Sequence, residues 1–137
     1  MTCFWDSLYS ALKTEDFQAA GIPKKPRTTR DLLDVLVSRN RICDHVTVNC
    51  TFPTESQKNE LYDWIREYDR SKISDGHWTG CCDPFLVLVC EVFRVAVRHF
   101  YKGALPGFDF DTVTVYSHTN FRRVVEFGAN ASHFFLR

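Results

Sequence analysis

The chain has no surplus of charge of either sign. Seventeen Lys and Arg balance seventeen Asp and Glu, for a formal net charge of zero. That excludes the general electrostatic pull that draws basic proteins to nucleic acid or to an anionic membrane. The sequence also lacks any C-x-x-C pair among its six cysteines, Cys3, Cys43, Cys50, Cys81, Cys82 and Cys90. Their spacing fits no zinc pattern, and the adjacent Cys81-Cys82 is a poor start for one. The expectation is no metal and no cofactor. No secretory leader is expected before the domain, and a chain of 137 residues does not need disulfide staples. The cysteines therefore read as thiols of a reducing compartment, and the sequons Asn49-Cys50-Thr51 and Asn130-Ala131-Ser132 are discounted. No apolar run reaches a membrane-spanning length. The most apolar, Phe85 to Cys90, stops at Glu91 and suits a buried helix. Internal repeats, low-complexity segments and linkers are also missing.

What the chain does have is apolar mass. It is 45% hydrophobic, with twelve Phe, five Tyr and three Trp, enough for one aromatic-rich core in a single domain spanning 1–137. Phe4, Leu8 and Leu12 recur at i, i+4, i+8 beside Ala11, which predicts an amphipathic helix from Cys3 to Lys13 or Phe17. Thr28 or Thr29 caps a second helix carrying Leu32, Leu33, Val35, Leu36 and Val37, with Asn40 as its stop. Val46 to Phe52 reads as a short extended segment ended by Pro53. Thr54 to Gln57 is a capping box opening a helix with Leu61, Trp64, Ile65 and Tyr68 at helical spacing. Asp83-Pro84 opens a helix to about Val92 that is apolar nearly all round and should be central and buried. After it the period switches to two. Strands are predicted around Val95–His99, Thr112–Tyr116, Phe121–Phe127 and Ser132–Leu136. Helices first and strands last make an α+β arrangement.

Two kinds of residue carry chemistry. Cys3 stands at the first position of the first helix, where unpaired backbone N–H groups and the helix dipole favour a thiolate. A thiolate nucleophile needs a base within hydrogen-bond reach. Of the five histidines, His45 sits in a polar loop and His99 alternates within a strand. His77 and His118 lie in or beside turns, within reach of a cleft. His133 stands where a tight turn meets the terminal strand, a rigid place to mount a side chain. The segment Ser74 to Gly80 combines turn chemistry with His77 and Trp78, so it reads either as a plain connector or as the wall of a cleft.

The order of these parts resembles papain-like cysteine proteases, and among them the ovarian-tumour (OTU) family of deubiquitinating proteases, especially its compact viral members. Cys3-Phe4-Trp5-Asp6-Ser7-Leu8-Tyr9-Ser10-Ala11-Leu12 is similar to that family's nucleophile helix. Trp78-Thr79-Gly80, then Asp83 to Val92 and Val95-Ala96-Val97, resembles its Trp-containing loop, central helix and following strand. Val113-Thr114-Val115, Val124-Val125-Glu126-Phe127 and Ser132-His133-Phe134-Phe135-Leu136 resemble its closing strands. The resemblance implies a nucleophile helix and helical segment followed by a small, mostly antiparallel C-terminal sheet. It implies a monomeric cysteine protease of the host cytoplasm with Cys3 as nucleophile and His133 as base. The substrate would be a viral polyprotein junction or the C-terminal tail of ubiquitin or a ubiquitin-like modifier, with no nucleic acid and no membrane as partner. The family often places Asp or Asn two residues after the histidine to orient it. Phe135 stands there, so Asn130 is the candidate orienting residue, with Asp75 and His118 as alternatives. Asp75, Gly76, His77 and Trp78 are the candidate substrate-binding residues. The family's Asp-Gly-Asn-type run before the cysteine has no counterpart, because only Met1-Thr2 precede Cys3. The competing expectations are a catalytically inactive OTU-like protein-interaction domain and a small structural protein unrelated to proteases.

Overall fold

A computed structural model describes residues 3–74, 83–103, 107, 112–130 and 133–137, without the side chains of Cys3, Ser74 and Asp83. Its elements are, in order, α1 (Cys3–Ala11), α2 (Thr14–Ala19), α3 (Thr29–Ser38), β1 (Val46–Val48), α4 (Glu55–Arg66), a 3-10 helix (Arg70–Ser74), α5 (Asp83–Phe93), β2 (Ala96–Tyr101), β3 (Thr112–His118), β4 (Val124–Ala129) and β5 (Phe134–Leu136). The architecture is α+β, with a mixed five-stranded sheet ordered β1-β3-β2-β4-β5. Three neighbouring pairs run antiparallel and β2–β4 runs parallel. The chain makes the β2–β3 pair first, then crosses to the other side of β2 to lay down β4. The sheet is not wholly C-terminal, because β1 comes from the first half of the chain and forms one edge.

α5 is the hub. Every residue from Phe85 to Phe93 is buried, Glu91 included. It packs against α2, α3 and α4 and also against β1, β2 and β3. An aromatic cluster of Trp5, Trp64, Tyr68 and Phe85 joins it to α1 and α4, with ring centroids 4.8 to 6.3 Å apart. Such edge-to-face contacts add to the gain from burial. Among the described residues, no helix is long and apolar enough to cross a membrane.

The capping signals at Thr28 and Thr54 hold. Thr28 accepts from the Asp31 N–H, and Thr54 and Gln57 form the reciprocal box. The strand expected from Phe121 begins only at Val124, and two other expected elements come out shorter. The first helix stops at Ala11 and a new one starts at Thr14, because Asp16 turns back to accept from the Lys13 N–H at 2.8 Å and caps α2. The strand expected to reach Phe52 ends at Val48, where Asn49 and Cys50 turn the chain with φ of 50° and 66°.

The break after α1 is held by a buried ionic knot. Asp16, 1% exposed, accepts from Arg122 and Arg123. Arg123 also donates to the Ala11 carbonyl at the end of α1, and Arg122 to the Phe93 carbonyl at the end of α5. One carboxylate and two guanidinium groups thus satisfy three helix ends and tie them to the head of β4.

Candidate active site

The start of α1 lies against β5. Phe4, 2% exposed, meets Phe134 at a centroid distance of 5.0 Å, and the Ser7 hydroxyl donates to the Phe134 carbonyl at 3.3 Å. Phe134 is fully buried, with its ring 5.0 Å from that of Phe127 and 5.4 Å from that of His99. Cys3 is the residue before Phe4 and the first of α1; His133 is the residue before Phe134. The two candidates therefore sit at adjoining ends of two packed elements, although 130 residues separate them in sequence.

His133 is exposed. Its carbonyl accepts from the Asn130 N–H at 2.9 Å, so Asn130 contributes to the turn through its backbone. The His133 ring stacks on Phe135 at 5.6 Å and 20°. Phe135 in turn covers Gly128, its partner across the β4–β5 ladder; a Cβ at Gly128 would stand 2.4 Å from the Phe135 ring. Phe135 offers no hydrogen bond, but it gives the imidazole a flat surface, and the missing Cβ of Gly128 makes room for it.

His118 does not belong to this site. It ends β3 next to Ser117, which pairs with Ala96 at the start of β2, whereas Ala129, near His133, pairs with Tyr101 at the end of β2. Five residue steps of strand, about 16 Å, separate the two levels. His118 is thereby excluded as the orienting group. Asp75, Gly76, His77 and Trp78, expected to bind substrate, lie outside the described residues.

Two of the other described cysteines, Cys43 and Cys90, are buried and poor nucleophiles by position. Burial pushes the Cys43 thiol up to about 12 and raises that of Cys90 as well. Cys50 is exposed in the turn after β1.

A second cluster lies at the opposite end of the sheet. Glu91 Oε1 accepts from the His45 N–H and Oε2 meets His45 Nδ1, both at 2.9 Å, while Arg41 lies 3.7 Å from Oε2. His118 stacks on His45 at 5.7 Å and 16°. Donor atoms of His45, Glu91 and His118 all fall within 4.8 Å of one another, a spacing on which a metal ion could be centred. The protonation pattern opposes it. His118 Nδ1 accepts from the Asn120 N–H at 2.9 Å, which puts the proton of the neutral ring on Nε2 and leaves no lone pair for a metal. The sequence named these histidines separately and did not join them. The available signal was Glu91, an acid within an otherwise apolar run, Phe85 to Phe93.

Comparison with known proteins gives no matching family model, no matching curated protein and no matching solved structure.

Proposed function

We propose that this chain is a papain-like, OTU-like cysteine protease that works with the pair Cys3 and His133. The observation that carries the reading is the packing of α1 on β5 through Phe4, Ser7 and Phe134, the immediate neighbours of the two residues. In this reading His133 takes the Cys3 proton, and the thiolate attacks a peptide or isopeptide carbonyl. Backbone N–H groups in the first turn of α1, which have no intrahelical acceptor, stabilise the tetrahedral oxyanion. His133 then protonates the leaving amine, and water hydrolyses the thioester to free Cys3. The scissile bond follows the C-terminal tail of ubiquitin or a similar modifier, or lies at a viral polyprotein junction. Phe135, seated on Gly128, orients His133 by stacking, in place of a polar third residue.

The test is a ubiquitin probe with an electrophilic C-terminus, supplemented by a generic thiol-directed peptide electrophile. Covalent labelling at Cys3, lost in Cys3→Ala and His133→Ala, is the expected result. Labelling that survives Cys3→Ala overturns the choice of nucleophile. A folded wild-type chain that neither probe labels favours the non-catalytic interaction domain.

A further inference from the structure

The cavity beside the second cluster points to a different ligand, independently of any protease activity. It has a volume of about 410 Å³ and lies between the end of α2, the loop before β1, the end of α5 and the end of β3. Arg39, Arg41, Arg94, His45, Glu91 and His118 all contribute to its wall. What such a wall binds depends on which of its polar atoms are still free.

The acceptors of Glu91 and His118 are engaged. Both carboxylate oxygens of Glu91 are engaged, Oε1 by the His45 N–H and Oε2 by His45 Nδ1, with Arg41 beside Oε2. His118 Nδ1 is occupied by the Asn120 N–H. The donors remain. His118 is buried, and burial lowers its pKa, with the charges of His45, Arg94 and Arg41 adding to that and Glu91 opposing. The ring is therefore kept neutral, with Nε2–H as its unused donor. The Arg94 carbonyl accepts from the Arg122 N–H at 2.8 Å, but its guanidinium has no hydrogen-bond or ion-pair partner among the described residues, and the residue stands at a left-handed φ of 53° directly after α5. Arg39 spends one N–H on the Ala20 carbonyl and keeps the others. Three guanidinium groups face one carboxylate, so the wall holds an excess of positive charge inside a chain of zero net charge.

We propose that this cavity binds a phosphate-type oxyanion, held by Arg94, Arg41, Arg39 and the Nε2–H of His118. Guanidinium groups match the geometry of phosphate oxygens with paired donors, and a neutral imidazole N–H adds a directed one. A divalent metal would need the His118 lone pair that Asn120 has already engaged. The oxyanion needs only the hydrogens left over.

The experiment is a titration of the full chain with inorganic phosphate at constant ionic strength, followed by amide and imidazole NMR, with zinc as a parallel titrant. Expected are saturable shifts at His45, Asn120 and Arg94, and His118 as the Nε2–H tautomer before and after. Arg94→Gln should weaken phosphate by about tenfold or more, the loss of one charge-assisted contact. Glu91→Gln should tighten it, because it removes the opposing charge while keeping the shape. The opposite signs separate binding from general damage to the fold. The proposal is overturned by shifts that sodium chloride reproduces, by an affinity indifferent to Arg94→Gln, by an Nδ1–H tautomer at His118, or by saturable zinc binding without phosphate binding.

Discussion

The two ends of the sheet both carry an exposed histidine close to a buried one, and they use them in opposite ways. At the β5 end His133 is exposed and touches the fold through a ring, Phe135, while His99 is buried nearby against Phe134. At the β1 end His118 is buried, held by Asn120, and stacked on the exposed His45, which is itself bonded to Glu91. The His133 ring is stacked, and no hydrogen bond to its nitrogens is made among the described residues. A ring with one nitrogen already occupied has its tautomer fixed. The first arrangement suits a base that must take and give a proton within one cycle. The second suits a permanent donor. Counting histidines or measuring their exposure would not separate the two; the identity of each nitrogen's neighbour does.

The largest effect expected from this contrast concerns turnover. His133→Ala should reduce labelling of Cys3 by a factor on the order of 10² or more, the usual scale for loss of a general base. His118→Ala should leave the labelling rate within about twofold, because it lies a strand length away. Rates measured with the same thiol-directed probe on both variants check this. Equal losses would erase the distinction between the ends.

Legibility in the sequence followed the same division. Cys3 and His133 could be singled out because each stands at the boundary of a strongly patterned element, an i, i+4, i+8 helix and a terminal strand. The aromatic-rich core and the buried α5 were legible for the same reason: burial writes itself into apolar periodicity. The Glu91 cluster was not legible, because its members come from a loop, a helix end and a strand end that only the fold brings together. The stop of α1 at Ala11 was hidden too. Local pattern favours continuation, and the break is enforced by Asp16 capping α2 and by Arg123, more than a hundred residues away, taking the Ala11 carbonyl. The parallel β2–β4 pairing lies beyond local pattern as well, since alternation within a strand does not reveal which neighbour it joins.

Next in size is the knot that fastens the helices to the head of β4. Asp16→Ala leaves Arg122 and Arg123 without their shared carboxylate. The expected cost is about 3 kcal/mol, the lower part of the range for breaking a buried pair, since both arginines are partly exposed. Burial by itself would raise the Asp16 carboxyl. The hydrogen bonds from Arg123, the Lys13 N–H and Arg122 outweigh it and hold the pKa at about 2, against an ordinary 3.8. A depressed carboxylate contributes stability that is complete above its unfolded value and lost as pH falls towards 2. Denaturant midpoints for wild type and Asp16→Asn should therefore lie far apart at pH 7 and converge on acidification between about 4 and 2. The labelling of Cys3 at neutral pH should survive in whatever fraction stays folded.

At the β5 end the corresponding break is smaller. Gly128→Ala places a Cβ 2.4 Å from the Phe135 ring, and the ring, half-buried at a sheet edge, must swing away. A cost of about 1–2 kcal/mol is expected, at the low end for overpacking. Because the displaced ring is the one under His133, labelling should slow as well. Combining Gly128→Ala with Phe135→Ala should cost less than the two single changes added, since the clash needs both partners. Additive free energies in that cycle would dissociate Phe135 from Gly128.

A change remote from both clusters sets the scale for nonspecific effects. Cys50 holds φ at 66° in the two-residue turn between Val48 and Thr51, where a side chain is strained and glycine is not. Cys50→Gly should stabilise by about 1 kcal/mol. Cys3 labelling and phosphate binding should be unaltered, and thermal melts alongside both assays check it.

The smallest effect is one of pH, and it bears directly on why the two ends differ. Burial, first, and then the charges of His45, Arg94 and Arg41 lower the folded pKa of His118 below its ordinary 6.5, with Glu91 pulling the other way. The unfolded chain therefore binds more protons than the folded one in the window just below 6.5, and stability must rise with pH there. Acidification from about 7 towards 5 charges the ring and forces its Nδ1 to become a donor facing the Asn120 N–H, which is also a donor. The fixed tautomer and the pH sensitivity are two consequences of one hydrogen bond. His118→Gln, whose amide oxygen can accept from Asn120 at every pH, should flatten the stability curve in that window while leaving the descent below pH 4, which belongs to Asp16, in place. If His118→Gln leaves the upper window unchanged, the sensitivity belongs to another group, and the claim that Asn120 fixes a neutral, donating His118 fails with it.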